Sequence, residues 1–163
     1  MLGVAGGVKE LEGDVGKHTG QDSRVACVVD WFGPSELLTM NDYPSRIDHD
    51  SPTSPESLLI GGAIQKNKEA ARNASPLTHV SKSSAPHLIM HGTEDPLVPV
   101  NQSERLAAAL RREKVPVVFI KITGGGHGFG GEEIDRRVRD YLDGRLLGRE
   151  VKVSEEAIAA KGR

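Results

Sequence analysis

The sequence predicts an α/β fold of about three parallel strands with flanking helices and a lid-like insert. Apolar runs of strand length lie at 24–32, 85–92 and 115–123. They are continuous or nearly so, which is typical of strands buried on both faces of a parallel sheet. Helical periodicity follows the second and third runs, and this alternation favours right-handed crossovers in one layered domain.

Length and composition set limits on the class of protein. The chain has 163 residues, the size of one domain, and its formal net charge of −2 argues against a nucleic-acid-binding surface. No apolar stretch reaches membrane-spanning length, and the first residues lack the features of a signal peptide. The compartment is therefore left open: the chain as given would be cytoplasmic, whereas a full-length form could be exported. A single cysteine, Cys27, excludes an internal disulfide.

Two helices are predicted with their ends. The first begins near Asn101, a candidate N-cap with Glu104 in capping-box position, and ends before 115–116. The second runs from about Glu132 to Leu147, with an acidic first turn that suits the helix dipole. Its expected apolar stripe consists of Ile134, Val138, Tyr141 and Leu142. Its expected solvent-side ion pairs are Glu132–Arg136 and Glu133–Arg137.

Two segments lie outside this regular alternation. The insert, 34–84, is rich in Ser, Pro, Asn and Asp, with one short helix expected at 66–73. An insert of this length in an α/β domain is usually functional or a lid. The charged tail, 151–163, is expected to fray. We therefore place the domain at 1–150.

Two residues capable of proton transfer follow the second and third predicted strands. Asp95 lies in HGTEDPLVP and His127 in GGGHGF. Loops after the carboxyl ends of parallel strands meet at one edge of the sheet, where ligands bind. An aspartate that accepts the imidazole Nδ1 proton fixes the tautomer and leaves the other nitrogen free as a base. The sequence therefore predicts a proton-handling pair that needs no cofactor.

Other interpretations of these residues remain open. His127 is also suited to a simple turn, and Asp95 to an Asx-turn before Pro96. The spacing of His87, His91 and Asp95 allows a metal site. We favour no metal, because 85–92 reads as a strand followed by a turn, and expect His91 to bond backbone near the site.

The substrate pocket is expected to involve four residues near this edge of the sheet. Trp31 and Phe32 follow the first strand, and Leu97 and Val98 follow Asp95. Core packing is an equal alternative for the two aromatic residues.

HGTEDPLVP and GGGHGF, in this order, resemble the C-terminal third of the α/β-hydrolase fold. The resemblance is to bacterial esterases of the feruloyl-esterase type and to prolyl-oligopeptidase-like hydrolases, and extends to about Leu147. VVDWFGPSELL and ASPLTHVSKSSAPHLIMHG resemble the segments before and after the lid in that family. The resemblance implies that Asp95 is the acid and His127 the base of a Ser-Asp-His triad. It also implies that the intact enzyme hydrolyses carboxylic esters; peptide hydrolysis is the less favoured alternative.

The sequence departs from that family at the nucleophile. None of the twelve serines lies in G-x-S-x-G, and an HGG-type oxyanion loop is also absent. We therefore expect the C-terminal part of a longer hydrolase, inactive by itself on small-molecule esters. The exposed strand 24–32 is then expected to form a homodimer, to aggregate or to need its missing partner. The alternatives are a non-catalytic binding module that retains part of the fold and a product without function.

Overall fold

A parallel sheet of four strands forms the centre of the computed structural model, which describes residues 1–160. The strands are β1 (Val28–Trp31), β2 (His87–Gly92), β3 (Val117–Thr123) and β4 (Ile158–Ala159). They lie in the order β1-β2-β3-β4, and every neighbouring pair is parallel. The three predicted strands are therefore confirmed as sheet neighbours, and the tail adds a fourth.

Helices cover both faces of this sheet. The longest are α5 (Asn101–Arg112) and α6 (Glu132–Leu146), and shorter helices are α1 (Leu2–Ala5), α2 (Lys9–Glu12), α3 (Pro55–Leu59) and α4 (Lys68–Ala74). Side chains alternate across β2, which is buried throughout. Leu88 and Met90 pack with α6, whereas Ile89 packs with α5. In residues 1–160 no helix has the length and apolar character of a membrane span.

The first turn of α5 differs from the prediction. The N-cap is Val100, which already has helical backbone angles, and Asn101 is the first helical residue. From that position the Asn101 side chain caps no backbone amide; it is buried without a hydrogen-bond partner among the described residues. Glu104 instead pairs with Lys121 of β3 at 2.6 Å, so the predicted capping box is wrong.

The apolar stripe of α6 is confirmed, because Ile134 and Tyr141 are buried and the other two stripe residues pack against the same cluster. Its ion pairs are only partly as expected. Glu133 pairs with Arg137 at 2.8 Å, but Arg136 bonds Glu133 and Asp140 rather than Glu132. Arg137 is buried and not on the solvent side, since its guanidinium also donates to two carbonyl oxygens of the tail.

The described part of the tail is ordered against the domain, contrary to the expectation of fraying. Arg137 Nη1 lies 2.9 Å from the carbonyl oxygen of Ser154 and 2.6 Å from that of Glu156. Val153 and Ile158 pack against the α6 side of the sheet. These apolar contacts and the bonds from the buried Arg137 hold the segment against the domain. Residues 161–163 of the predicted tail lie outside the described residues.

The insert folds as a small layer of its own. After β1 it contains three short 3₁₀ helices (Leu37–Asp42, Ile64–Lys66 and Pro76–His79) together with α3 and α4. The helix predicted at 66–73 is thus α4, shifted by two residues at its start and one at its end. The insert core consists of Leu37, Met40, Ile64, Ala71 and Val98. Ser35 fastens the insert to α5, because its hydroxyl donates to the carbonyl oxygen of Gln102 at 2.7 Å.

We predict that Arg137→Ala lowers the free energy of unfolding by about 2–3 kcal/mol, because two carbonyl oxygens of the tail lose a charged donor. Urea unfolding followed by circular dichroism measures the change. Arg139→Ala is the matched control, since Arg139 is exposed on the same helix. Equal stability of the two variants would contradict the structural role of Arg137.

Candidate active site

The loops after β2 and β3 meet at the carboxyl edge of the sheet. Gly92 is paired in register with Ile122, and the amide of Glu94 donates to the carbonyl oxygen of Gly125 at 2.9 Å. A Cβ atom on Gly92 would lie 2.2 Å from that same oxygen and 2.5 Å from the carbonyl oxygen of Gly126. Only glycine fits here without backbone movement, so this close approach fixes the loop that carries His127.

Asp95 and His127 lie within hydrogen-bond distance in these loops. The His127 Nδ1 atom is 2.9 Å from Asp95 Oδ2. A carboxylate accepts, so Nδ1–H is the donor and Nε2 carries the lone pair. The Asp95 side chain is buried, whereas 31% of the His127 side chain is exposed. The arrangement can therefore take up and return a proton at the His127 Nε2 atom, within reach of a ligand.

The second oxygen of Asp95 forms a turn. Oδ1 accepts from the backbone amides of Leu97 at 2.8 Å and Val98 at 3.0 Å. The Asx-turn and the partner of His127 were alternatives in the sequence, but the structure contains both, one on each oxygen. The turn therefore orients the carboxylate toward the imidazole.

A second histidine, in the buried interior, contacts the Asp95 carboxylate. His91 is fully buried, with its Nε2 atom 2.9 Å from the Val98 carbonyl oxygen and 3.3 Å from Asp95 Oδ2. Its Nδ1 atom lies 2.7 Å from the Ser103 hydroxyl. Burial lowers the pKa of His91 below its usual value, which favours the neutral ring. A neutral ring satisfies these contacts when Ser103 donates to Nδ1 and Nε2–H faces the carbonyl and carboxylate oxygens. The expected backbone bond of His91 is thus confirmed.

The metal interpretation has no counterpart in the described part of the chain. Within residues 1–160 no three His, Cys, Asp or Glu side chains come together as a metal-binding group. His87, one of the three residues of that metal interpretation, bonds locally instead: its Nδ1 atom lies 2.7 Å from the carbonyl oxygen of Ala85.

Aromatic rings surround His127. The Phe32 ring lies 4.3 Å from the imidazole, and the Phe129 ring lies 5.3 Å from both Phe32 and Trp31. Phe32 has φ of +47°, in the left-handed region that costs a non-glycine residue about 1–3 kcal/mol. This left-handed conformation turns the chain after β1 toward His127. Asp30 supports that turn, because its Oδ1 accepts from the amide of Gly33 at 3.1 Å.

A cleft of about 930 Å³ opens beside His127. Leu97 and Phe129 contribute to its wall, together with Arg46 of the insert. Val98, Trp31 and Phe32 do not line this cleft. The Val98 side chain is buried in the insert core, so the expectation that it lines the substrate pocket is corrected. Its amide and carbonyl groups act instead, on Asp95 and His91.

Sequence reasoning missed several residues near the site. Phe129 stands in the quoted GGGHGF motif, so its position was available as a signal. Ser45, Arg46 and His49 reach the loop after Asp95 from the insert. They lie about fifty positions earlier in the chain, and no local pattern marks them.

Comparisons with known proteins agree with this architecture. The BD-FAE family model matches residues 1–110. The chain is 29% identical over 142 residues to Esterase LipC of Mycobacterium tuberculosis (strain ATCC 25618 / H37Rv), covering 79% of this chain and 29% of that protein. It is 27% identical over 146 residues to Dipeptidyl aminopeptidase BIII of Pseudoxanthomonas mexicana, covering 90% of this chain and 21% of that one.

Solved structures of esterases and peptidases are also similar to this chain. A truncated form of a carbohydrate esterase from gut microbiota superposes with a TM-score of 0.79 and 30% identity, over 88% of this chain and 54% of that one. A puromycin-hydrolyzing peptidase of Mycobacterium tuberculosis gives 0.60 and 30%, over 85% and 20%. The chain thus spans less than a third of the two curated relatives and about half of the solved esterase.

We predict that Gly92→Ala separates the two loops, because the added methyl group would overlap backbone atoms of Gly125 and Gly126. The free energy of unfolding should fall by about 1–3 kcal/mol. The far-downfield proton signal of the His127 Nδ1–H group should weaken in NMR spectra. Gly130→Ala is the control, since a Cβ atom there meets open space. An unchanged His127 signal in Gly92→Ala would refute the constraint.

We also predict that stability decreases in mild acid. Burial lowers the pKa of both His87 and His91 below 6.5. The unfolded chain then binds more protons as the pH falls through 6.5, so acid favours unfolding and stability rises with pH in this range. Urea unfolding at about pH 7.5 and about pH 5.5 measures the slope. His87→Gln should reduce it, whereas His18→Gln, at an exposed position, should not; equal slopes would contradict the assignment.

Proposed function

The chain belongs to the BD-FAE family of esterase-type α/β-hydrolases, and we propose that it supplies the acid and base of a serine carboxylic-ester hydrolase. Asp95 is the acid and His127 the base. The observation that carries the proposal is the 2.9 Å contact between His127 Nδ1 and the buried Asp95 carboxylate. The substrate is a small-molecule carboxylic ester bound in the cleft beside His127.

The chemistry follows from the free Nε2 atom of His127. A serine hydroxyl attacks the ester carbonyl carbon and gives its proton to Nε2, and the tetrahedral intermediate collapses to an acyl-serine. The imidazolium returns the proton to the departing alkoxide. Water then attacks the acyl-serine carbonyl carbon and gives a proton to Nε2; when this second tetrahedral intermediate collapses, the imidazolium returns the proton to the serine Oγ and the carboxylic acid leaves. Asp95 stabilises the imidazolium in both halves of the cycle.

We propose that the attacking serine lies outside residues 1–163. None of the twelve serines stands in G-x-S-x-G. The sheet has a place for a further strand, because β1 is an edge strand in the described part of the chain. The amides of Val28 and Phe32 bond toward β2, so by alternation Val29 and Trp31 direct their backbone groups to the open edge. A serine-bearing parallel strand paired there would end near Phe32 and His127.

Ester hydrolysis is favoured over peptide hydrolysis by the relatives. The family assignment and LipC are of esterase type, and so is the structure with the higher TM-score of the two described above. The peptidases among the relatives make peptide hydrolysis the second candidate function.

We predict that residues 1–163 do not turn over p-nitrophenyl acetate above the buffer rate. Removing one oxyanion donor alone costs about 10² to 10³ in rate, and here the nucleophile is also missing. A form extended upstream to include a G-x-S-x-G strand should be active, and should lose activity in His127→Ala and Asp95→Asn. His79→Ala, in the insert, is the control.

Two results would contradict this proposal. One is turnover by residues 1–163 that His127→Ala abolishes, which would place the nucleophile inside the chain. The other is full activity of His127→Ala in the extended form. Sedimentation of residues 1–163 separately tests whether a second copy occupies the β1 edge: a dimer that the extended form does not show supports the vacant strand position, and a monodisperse monomer counts against it.

A further inference from the structure

We propose that His49, supported by Glu56, is a positioning residue for Asp95, an inference that rests on the function proposed above. The insert thereby fixes the geometry of the acid–base pair from outside the strand loops that carry it.

The insert is bonded to the two residues that follow Asp95. The amide of Arg46 donates to the carbonyl oxygen of Pro96 at 2.7 Å. The Ser45 hydroxyl lies 2.9 Å from the carbonyl oxygen of Leu97. His49 Nε2 lies 3.0 Å from the same Leu97 oxygen. Leu97 is therefore held through both of its backbone groups, since its amide donates to Asp95 Oδ1. Displacing His49 would release the turn that orients the carboxylate.

The hydrogen positions on His49 follow from its partners. The carbonyl oxygen of Leu97 can only accept, so Nε2 must carry the hydrogen. This holds whether Glu56, whose Oε2 lies 3.0 Å from Nδ1, accepts from that nitrogen or donates to it. Ser45, His49 and Glu56 are joined in series like a nucleophile, base and acid, with Ser45 Oγ 3.2 Å from Nε2. A protonated Nε2 cannot take the proton of Ser45, so the series serves as a clamp.

Burial and local structure hold the clamp in place. His49 and Glu56 are both buried. Ser54 caps α3 by accepting from the amide of Ser57 at 3.1 Å, and its hydroxyl lies 2.9 Å from the His49 carbonyl oxygen. The cap sets the first turn of α3, on which Glu56 stands. A buried histidine with both ring nitrogens bonded has little freedom to move, which is what a positioning residue requires.

The test compares Glu56→Gln and His49→Gln with the unaltered chain by NMR. We expect amide hydrogen exchange at Leu97 and Val98 to increase about tenfold relative to that at Ile120 in the sheet core. The far-downfield Nδ1–H signal of His127 should broaden or disappear. Ser45→Ala, a milder change, should give the same selective effect at smaller size and covers the case in which a buried variant does not fold.

Glu69→Gln and His79→Gln are the matched controls, because they make the same substitutions at less buried insert positions and should change neither readout. Unchanged exchange at Leu97 and Val98 in the folded variants, or an increase equal to that at Ile120, would overturn the proposal. So would labelling of Ser45 by a fluorophosphonate probe, which would make it a nucleophile. Failure of the proposed function would appear in a different measurement, as ester turnover in the extended form that carries His127→Ala. That result would leave the hydrogen-exchange comparison unaffected.

Discussion

The contact between two backbones, at Gly92 and at Gly125–Gly126, is the constraint on which the rest of the site depends. The loops after β2 and β3 approach so closely that a methyl group would overlap carbonyl oxygens. Register alone brings the two strand ends to one edge of the sheet. It is the missing side chain that allows His127 to fold back over Asp95 instead of pointing into solvent. Gly92 therefore provides the close approach, whereas Gly124, Gly128 and Gly131 supply the positive φ angles that the His127 loop needs.

Once the loops meet, the Asp95 carboxylate joins the turn at Leu97 and Val98 to the imidazole of His127. One oxygen receives two backbone amides and the other faces two histidines. The amides and His127 donate to the charged form, which stabilises a carboxylate that burial would otherwise destabilise. Neutral His91 adds a donor without adding a competing base. A carboxylate bonded in this way can support an imidazolium without rotating away from it.

The parts of the fold that sequence predicted are those encoded by nearby residues. The three long strands and the stripe of α6 follow from apolar spacing, and the Asp95–His127 pair follows from strand order plus two short motifs. The predictions failed where a distant residue decides. Asn101 has the composition of a cap, but Val100 already starts the helix. The spacing places Arg137 on the solvent side of α6, but the distant tail covers it. The strand β4 was missed because it has only two residues. The contact from His49 to Leu97 spans 48 positions, which no periodicity reveals.

The insert is better described as a fixed wall than as a moving lid. Lifting it would break the bonds from Ser35 and Glu36 to Gln102, as well as those from His49 and Arg46 to the Asp95 loop. At about 0.5–1.5 kcal/mol for each bond, and more for groups left buried and unpaired, such an opening would cost much of the stability of a small domain. An insert held closed keeps Asp95 and His127 oriented toward each other. That arrangement suits the function proposed above, because dipoles set in advance need no reorganisation when charge develops on the imidazole.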